Sequence, residues 1–478
     1  MAQYVADTQL PNDDGAGSEV VTDEAQLSIS NSTEVSIQNV RAIKLQPVYS
    51  ISNSRVIQFE YTSCQKEVID AKMTRLKLVL KIVDQAGNDL PLVNQAGNLP
   101  GGTCVIPVNS IGSAMFSSCE VKVNGLVVEG GDTMYAYKAD FQNRLGNNLE
   151  VKKNQLQNKW IYHEPVKWDF LTAAEKNSVF AATELKPDKP HLNPFIDRWL
   201  RSKGSKNMVV NADLYADFFK EHKFLPANTT INIALTRQPD DNFALLTNQQ
   251  GRSYQIRVVS AELQGEEKIM DSDYLDTKIQ EMRSGKPYRT NFQTCDVLRF
   301  TSPPGLTEIG ENNIFKLQSY SPNNFSLVLV DQDAYNGDNQ KCPFAYKLNG
   351  VRYVEHKRSD GNTRHLPFEM GRWGNAGEDV DDGVSNLYTA LDMLVGPEEA
   401  VGIDANNFAK GHAFLSFNLK KALAPNIFSM PDKAVNSLVV KCTPALPNAI
   451  AKIIYAEYDT EVLIDGFGNV TVRKNALA

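Results

Sequence analysis

Strand-length segments in which apolar and polar residues alternate recur along most of this chain. In "MTRLKLVLKIVD", which begins at Met73, every second residue from Leu76 to Ile82 is leucine or isoleucine, and lysine or valine stands between them. A period of two places alternate side chains on opposite faces of a β-strand, with one face buried and one in water. The pattern therefore predicts a protein built mainly from half-buried strands.

One of these segments also contains its own turn. In "EVKVNGLVVEG", the run Glu120–Val123 is followed by Asn124-Gly125 and by the run Leu126–Glu129. Asn-Gly tolerates the positive φ angles of the two-residue turn that fits twisted strands. We expect a hairpin at the edge of a sheet, with the preceding "FSSC" in the same sheet or in a bend leading into it.

The helices predicted from the sequence are few and short. One follows the hairpin, with Asp132 or Thr133 as its cap, Gly146 at its end, and an apolar face made of Met134, Tyr137, Phe141 and Leu145. Others are predicted at 272–285 and 384–397. The region 147–205 is rich in Trp, Pro and Lys, and we interpret it as a long excursion between strands.

The order of these elements predicts two similar halves. Each half runs through several strands, a helix, a long loop and two further strands. With 478 residues the chain can form two or three domains. We predict an all-β fold of two β-sandwiches, for which jelly rolls are one arrangement. The predicted division is a flexible acidic arm at 1–40, a first sandwich at 41–250, a second at 251–466, and a tail at 467–478.

The net charge of the chain indicates whether nucleic acid is an expected partner. The net charge of -8 repels phosphate backbones, so we expect no sequence-specific binding to nucleic acid.

A membrane span needs about 20 apolar residues in succession, and the sequence contains no such run. The first residues resemble no secretory signal. The six cysteines are scattered, which favours free buried thiols in a reducing compartment over a disulfide framework or a zinc site.

The sequence motifs that could indicate a catalytic, metal-binding or phosphate-binding site are incomplete. "HEPVK" (His163–Lys167) lacks the second histidine of a zinc-protease helix and contains a proline. "DQDAYNGD" (Asp331–Asp338) resembles a calcium loop, but its glycine is one place late and Cys342 stands where the bidentate Glu belongs. "RSGKP" is not a phosphate-binding loop, and the six histidines show no ligand spacing. We predict no catalytic, cofactor-binding or metal-binding residue.

Two interpretations of other residues stay open from the sequence. A pair among the 57 acidic residues could serve a β-sandwich glycosidase. The tryptophans could stack on sugars, although tryptophans in loops more often anchor the loop to a core. These are Trp160, Trp168, Trp199 and Trp373.

Longer segments resemble a known family. "PVNSIGSAMFSSCEVKVNGLVV" (Pro107–Val128), followed by Tyr135 and Tyr137, is similar to a segment of the hexon-like major capsid proteins of polintons (Mavericks) and adintoviruses. "VLVDQDAYNGDNQKCPFAY" (Val328–Tyr346) resembles that family's valine-rich strand, Asn-Gly turn and Asn-Pro-Phe block, with Cys342 where Asn is more usual. "LYTALDML", "IDANNFAKGHAFLSFNL" and "IIYAEYDTEVLID" also fit.

The resemblance, which spans about residues 40–470, implies a double jelly roll of two consecutive eight-stranded antiparallel β-sandwiches. It implies a capsid protein that forms homotrimers, which pack as pseudo-hexagonal tiles into the icosahedral shell of a double-stranded DNA virus. The implied partners are neighbouring capsomers, penton proteins and minor or cement proteins. The implied location is the virion, assembled in the nucleus or cytoplasm of the host cell and not secreted. The family supplies no catalytic residue.

The alternative function is that of a jelly-roll binding module, such as a penton, spike or lectin-like receptor-binding component. A β-sandwich hydrolase is the other alternative, and we predict that the chain is not an enzyme because the catalytic constellations are missing.

Overall fold

The structure is a computed structural model that describes residues 36–51, 54–91, 104–130, 134–220, 223–315, 321–361, 365–371, 380–391, 401–420 and 433–474. Most of the predicted arm at 1–40 lies outside the described residues, as do Asp132, Thr133, His222 and Trp373.

Strands make up most of the regular structure in these residues. They are β1 (Ile37–Leu45), β2 (Val56–Thr62), β3 (Glu67–Asp84), β4 (Val105–Pro107), β5 (Phe116–Val123), β6 (Leu126–Glu129), β7 (Met208–Asp213), β8 (Thr230–Arg237), β9 (Leu245–Thr247), β10 (Tyr254–Met270), β11 (Tyr288–Ser302), β12 (Asn324–Asp331), β13 (Val351–Arg358), β14 (Phe368–Glu369), β15 (Leu415–Asn418), β16 (Asn436–Cys442), β17 (Ile450–Ile464) and β18 (Val470–Lys474). The predicted all-β character is confirmed.

The helices are short. They are α1 (Ile111–Ala114), α2 (Tyr135–Leu145), α3 (Leu149–Asn154), α4 (Ala173–Phe180), α5 (Asn193–Ser202), α6 (Ser272–Arg283), α7 (Gln332–Tyr335), α8 (Asp381–Ala390) and α9 (Ala405–Ala409). The predicted helix after the hairpin is α2, and Gly146 follows its last residue as predicted.

In the first half, the described strands form two four-stranded antiparallel sheets. Their orders are β1-β10-β3-β7 and β2-β8-β5-β6. The chain passes repeatedly from one sheet to the other, since β1, β3, β7 and β10 belong to the first and the strands between them largely to the second. This wrapping is the jelly-roll arrangement, in which two packed sheets bury their inner faces. The short ladder of β4 and β9 lies outside both sheets.

The second half repeats this scheme with a less regular second sheet. One sheet has the order β11-β17-β12-β15, with β18 also paired to β17, and the other described sheet has the order β14-β13-β16. Isolated bridges from Glu308 and Glu311 to β16 extend that smaller sheet. Strand β17 is almost completely buried, because it pairs with β11 on one side and with β12 on the other.

Strand pairing differs from the predicted boundaries at three places. Strand β10, which follows residue 250, forms its ladder with β3 and β1 and therefore belongs to the first pair of sheets. Residues Ile37–Val40 of the predicted arm lie in β1, and Val470–Lys474 of the predicted tail form β18. A period-two pattern identifies a strand but does not specify its partner, so these pairings were not visible in the sequence.

The predicted hairpin is confirmed. Asn124 and Gly125 have φ angles of 49° and 83°, and β6 is the edge strand of its sheet among the described residues. The "FSSC" segment belongs to β5. Upstream of it, α1 packs tightly on β7, because a Cβ atom on Gly112 would lie 2.7 Å from the Cβ atom of Ala212.

This close approach generates a prediction. In Gly112→Ala, the added methyl group would also lie 2.8 Å from Cγ1 of Val210. We expect a loss of about 1–3 kcal/mol in the free energy of unfolding, measured by urea denaturation, because an overpacked core must shift. The matched control is Gly265→Ala, whose methyl group would meet its nearest neighbour, Thr74 Oγ1, at 3.9 Å. We expect that variant to stay within about 0.5 kcal/mol of the wild type. Equal losses in the two variants would contradict the packing described.

Candidate functional site at the seam between the sandwiches

Helix α2 lies where the two sandwiches meet, and we call the contact between α2 and the second half the seam. The ring of Phe141 stacks on Tyr455 of β17, with centroids 5.0 Å apart, and meets Phe414 edge to face at 5.2 Å. Tyr137 stacks on Tyr335 of α7 at 6.1 Å. Aromatic pairs at such distances stabilise a contact beyond the area that they bury.

Polar groups of α2 also bind the second half. Arg144, which is buried, forms an ion pair of 3.0 Å with Asp140 on its own helix and donates from Nη2 to the carbonyl oxygen of Phe344 at 2.6 Å. The Tyr346 hydroxyl donates to the same Asp140 carboxylate. The guanidinium lies over the Tyr346 ring, 4.6 Å from its centroid. Arg144 and Asp140 therefore each have a hydrogen-bond partner in the second half.

A second ionic group connects α2 with both halves. Lys138 binds Glu129 of β6 and lies 2.6 Å from Asp217, which also accepts from the Cys295 backbone N–H of β11 at 2.9 Å. Burial alone would raise the pKa of Asp217, but Lys138 and Lys220 outweigh burial and lower that pKa to about 2. Removing one partner from such a buried group typically costs about 3–5 kcal/mol, because the remaining charge is left without a counterion.

The "HEPVK" segment contributes a third buried group. It forms a loop, as predicted, in which Glu164 binds Lys167 at 2.6 Å and also Arg198 of α5. Burial alone would raise the pKa of Glu164, but Lys167 and Arg198 outweigh it and lower that pKa to about 2. The backbone oxygen of Glu164 lies 2.7 Å from Nε2 of His412, so this loop of the first half also contacts the second.

The other motifs have ordinary structural contacts where the structure describes them. In the calcium-like segment, Asp331 ends β12 and Asp333 lies in the one-turn helix α7, where the interpretation from the sequence was a turn. Asp331 and Asp333 bind lysines at 2.7 Å and 2.9 Å. Among the described residues, no group of three or more His, Cys, Asp or Glu side chains could hold a metal ion. No described helix has the length and apolar character needed to cross a membrane.

The tryptophans of the long excursion anchor it to the core. Trp160, Trp168 and Trp199 are buried, and Trp168 packs against Phe180 and Phe195 of helices α4 and α5. These three rings are therefore unavailable for stacking on a sugar, and the anchoring interpretation is correct for them. The six cysteines all lie in the described residues and are free thiols. Five of them are buried, as expected, but Cys64 is exposed.

The sequence did not reveal the seam. It identified the apolar face of α2, including Tyr137 and Phe141, but not the three buried charges Lys138, Asp140 and Arg144 on the same helix. The available signal was the presence of these charges between aromatic residues on a short helix whose apolar face predicts burial.

No family model matches the chain. A protein of the nematode Caenorhabditis elegans, named uncharacterized protein F54H12.2, is 24% identical over 466 residues, which covers 92% of this chain and 98% of that protein.

Several solved structures are similar to this one, three of which are described here. A chain of the Sputnik virophage aligns with a TM-score of 0.59 and 11% identity over 98% of this chain and 95% of its own length. The mavirus major capsid protein has a TM-score of 0.52 and 11% identity, covering 99% and 98%. The Faustovirus major capsid protein has a TM-score of 0.52 and 10% identity, covering 91% and 92%.

This chain has the double jelly-roll fold. The alignments with the double jelly rolls cover both sandwiches, so the resemblance found in the sequence is confirmed at the level of the fold. None of the proteins compared is named as a polinton or adintovirus protein, and that part of the assignment stays a prediction.

The aromatic contacts of α2 predict a strong effect for Phe141→Ala. We expect a loss of about 3–5 kcal/mol in the free energy of unfolding and faster cleavage by a protease, because the cavity would lie between the sandwiches. Phe170→Ala is the matched control, since Phe170 is 39% exposed and its truncation should cost about 0.5 kcal/mol or less. A cost for Phe141→Ala no larger than that of the control would show that α2 does not hold the halves together.

The seam also predicts a dependence of stability on pH. His412 donates from Nε2 to Glu164, so Nδ1 is the acceptor for Arg144 Nη1 at 3.4 Å. Burial, together with the charges of Arg144 and Lys167 and the nearby His163, holds the pKa of His412 well below its usual range. Burial likewise lowers the pKa of His356, in the second sandwich, to about 4.

Unfolded histidines titrate near pH 6.5, so the unfolded chain binds more protons than the folded one below that pH. The free energy of unfolding should therefore be constant above pH 7 and fall between pH 6.5 and 4, by about 1.4 kcal/mol per pH unit for each such histidine. His412→Gln retains a side-chain N–H donor and should make this slope shallower, as should His356→Gln. Urea denaturation across this range measures the slope, and an unchanged slope in both variants would refute the assignment.

Proposed function

We propose that this chain is the major capsid protein of a polinton- or adintovirus-like double-stranded DNA virus or virus-like element. It acts by self-assembly, as a homotrimer whose six sandwiches give a pseudo-hexagonal tile of an icosahedral shell. The observation that carries the proposal is the alignment of both sandwiches, over nearly the whole chain, with the mavirus and Faustovirus major capsid proteins.

The seam supports this function physically. Domains within one chain move relative to each other unless their interface is large and apolar. Here most of the described buried apolar residues form a continuous cluster through both halves, and Arg144 and Asp140 of α2 add hydrogen bonds to Phe344 and Tyr346 of the second half. A tile in a closed shell needs such a fixed angle between its two sandwiches, and it needs no reactive centre.

The nematode relative supports the inference that this chain is encoded by a genetic element in an animal genome. Its alignment with this chain covers nearly all of both proteins, and it comes from an animal. We infer that the present chain belongs to an element of the polinton kind, assembled inside the host cell, with penton and minor or cement proteins as further partners and the virion as its location.

For the division of the chain, we propose that the first sandwich ends with β10 at Met270 and that α6 leads into the second. We propose that the acidic segment before β1 is an arm that binds a neighbouring copy, since its first 35 positions have seven acidic residues and no basic ones.

Measurement of the particle mass and negative-stain electron microscopy of the purified protein test the proposal. We expect a species three times the 53.1 kDa mass of the chain, with a hexagonal outline. Obligate interfaces of this kind commonly bury about 2,000–5,000 Å². A monomer at every concentration and salt condition would contradict the proposal. If that monomer bound a glycan array strongly, a lectin-like or receptor-binding module would be the better description.

A further inference from the structure

The outer face of the sheet β1-β10-β3-β7, on the side away from the core, exposes a group of apolar residues. Val209 of β7 and Val259 of β10 are 46% and 47% exposed. Val79 of β3 lies between them, because it pairs with Val209 on one side and with Ser260 on the other. We call these three valines the valine row. Apolar residues that are exposed together commonly mark a contact with another protein segment.

Basic residues lie on both sides of the valine row. In β3, Lys77 and Lys81 stand two residues before and two residues after Val79, and they alternate with buried leucines. Arg257 of β10 pairs with Lys81, and Arg75 lies two residues before Lys77. The face therefore presents four cations around an apolar centre.

Three of these four cations form no ion pair among the described residues. They are Arg75, Lys77 and Arg257. The fourth, Lys81, binds Asp89 at 2.6 Å, but Asp89 is 57% exposed, and such a pair contributes little to stability. The carboxylate of Glu262, which stands opposite Lys77 in the ladder, binds Lys44 at 2.8 Å. The face therefore carries more positive charge than its own carboxylates neutralise.

The opposite charge is concentrated in the segment before β1. Residues 1–35 contain seven acidic residues and no basic ones, so they account for all but one of the eight net negative charges of the chain. Within this segment, "EVVTDE" (Glu19–Glu24) has two valines between acidic residues. It therefore combines the two properties, negative charge and an apolar centre, that complement the face.

The spacing of the two segments also matches. In an extended segment alternate side chains share one side, so Glu19, Val21 and Asp23 would face the same way. Glu19 and Asp23 are four residues apart, which is about 13 Å in an extended chain, and the two lysines of β3 beside the valine row are also four residues apart. With Val21 on the valine row, each of these acidic residues meets a lysine.

The geometry of β1 favours the face of a neighbouring copy over that of the same chain. Ile37, the first residue of β1, pairs with Met270, and the valine row lies ten residues away along β10, beside Ser260. Since β1 runs from Ile37 towards the row, a segment that precedes Ile37 has to reverse its direction to reach the row of its own chain. The 15 residues from Val21 to Ser36 span at most about 50 Å, which is long enough to reach another subunit.

We propose that Glu19–Glu24 of one copy binds the valine row and the surrounding cations of a neighbouring copy. This inference rests on the proposed self-assembly, for which it names one contact between subunits. The contact removes exposed valines from water and supplies carboxylates to Lys77 and its neighbours.

Disulfide cross-linking of the full chain tests this contact. In a protein with Val21→Cys and Val209→Cys, mild oxidation should join copies into covalent oligomers, which a non-reducing gel separates from the monomer. The matched control has Val21→Cys and Val127→Cys, because Val127 is 41% exposed but lies on β6, in the other sheet. Both proteins keep the exposed Cys64, so oligomers formed through that thiol appear in both. We expect the first protein to form oligomers roughly tenfold faster or more, because docking raises the local concentration of the two thiols.

The contribution of charge is tested in the first protein. Lys77→Glu should slow the cross-linking about tenfold, because like charges would then face each other. Lys278→Glu is the matched control and should leave the rate unchanged, since Lys278 binds Glu281 within α6, outside this sheet. High salt should slow the cross-linking without any substitution, which keeps the test valid if Lys77→Glu does not fold.

Three outcomes would overturn the inference. Oligomers form no faster than in the Val127→Cys control, the thiols at positions 21 and 209 are consumed while the chain stays monomeric on the gel, or neither Lys77→Glu nor high salt changes the rate. Light scattering of the same samples before oxidation tests the proposed function separately. A native trimer without this cross-link overturns the contact alone, whereas a native monomer overturns self-assembly and the contact together.

Discussion

The burial of α2 between two sandwiches is the constraint on which the rest of the structure depends. A helix with Lys138, Asp140 and Arg144 buried on it is stable only if each charge finds its partner, because desolvation costs several kcal/mol per ion. Those partners come from β6 and the segment around Asp217 in the first half and from Phe344 and Tyr346 in the second. The helix therefore specifies how the two halves are oriented.

This constraint connects the fold with the proposed role. Two sandwiches joined by a chain alone could rotate, and a shell built from them would have no fixed geometry. Around α2, hydrogen bonds from its buried charged groups and contacts between aromatic rings join the two halves. The same seam contains His412, so protonation of its imidazole is coupled to the packing of the two halves against each other.

The similarity to the virophage and Faustovirus structures at 10–11% identity has a physical explanation. A sandwich needs apolar residues of suitable size at alternate positions, and many sequences satisfy that requirement. The ladders and the order of the strands are therefore retained while individual residues change. The charged residues at the seam restrict the sequence more than the apolar residues of the sandwiches do, because few other residues can replace a hydrogen-bonded charge.

The sequence alone determined the strands, the Asn124-Gly125 hairpin, the short helices and the presence of two similar halves, since all of these follow from periodicity and turn chemistry within a few residues. It also indicated the fold, through segments that resemble a capsid family. Only the tertiary structure decided that β10 pairs with β1 and β3, that Glu164 of "HEPVK" forms buried ion pairs, and that α2 contacts both halves of the chain. These depend on contacts between residues far apart in the chain, and the local pattern of a strand or helix does not identify its partner.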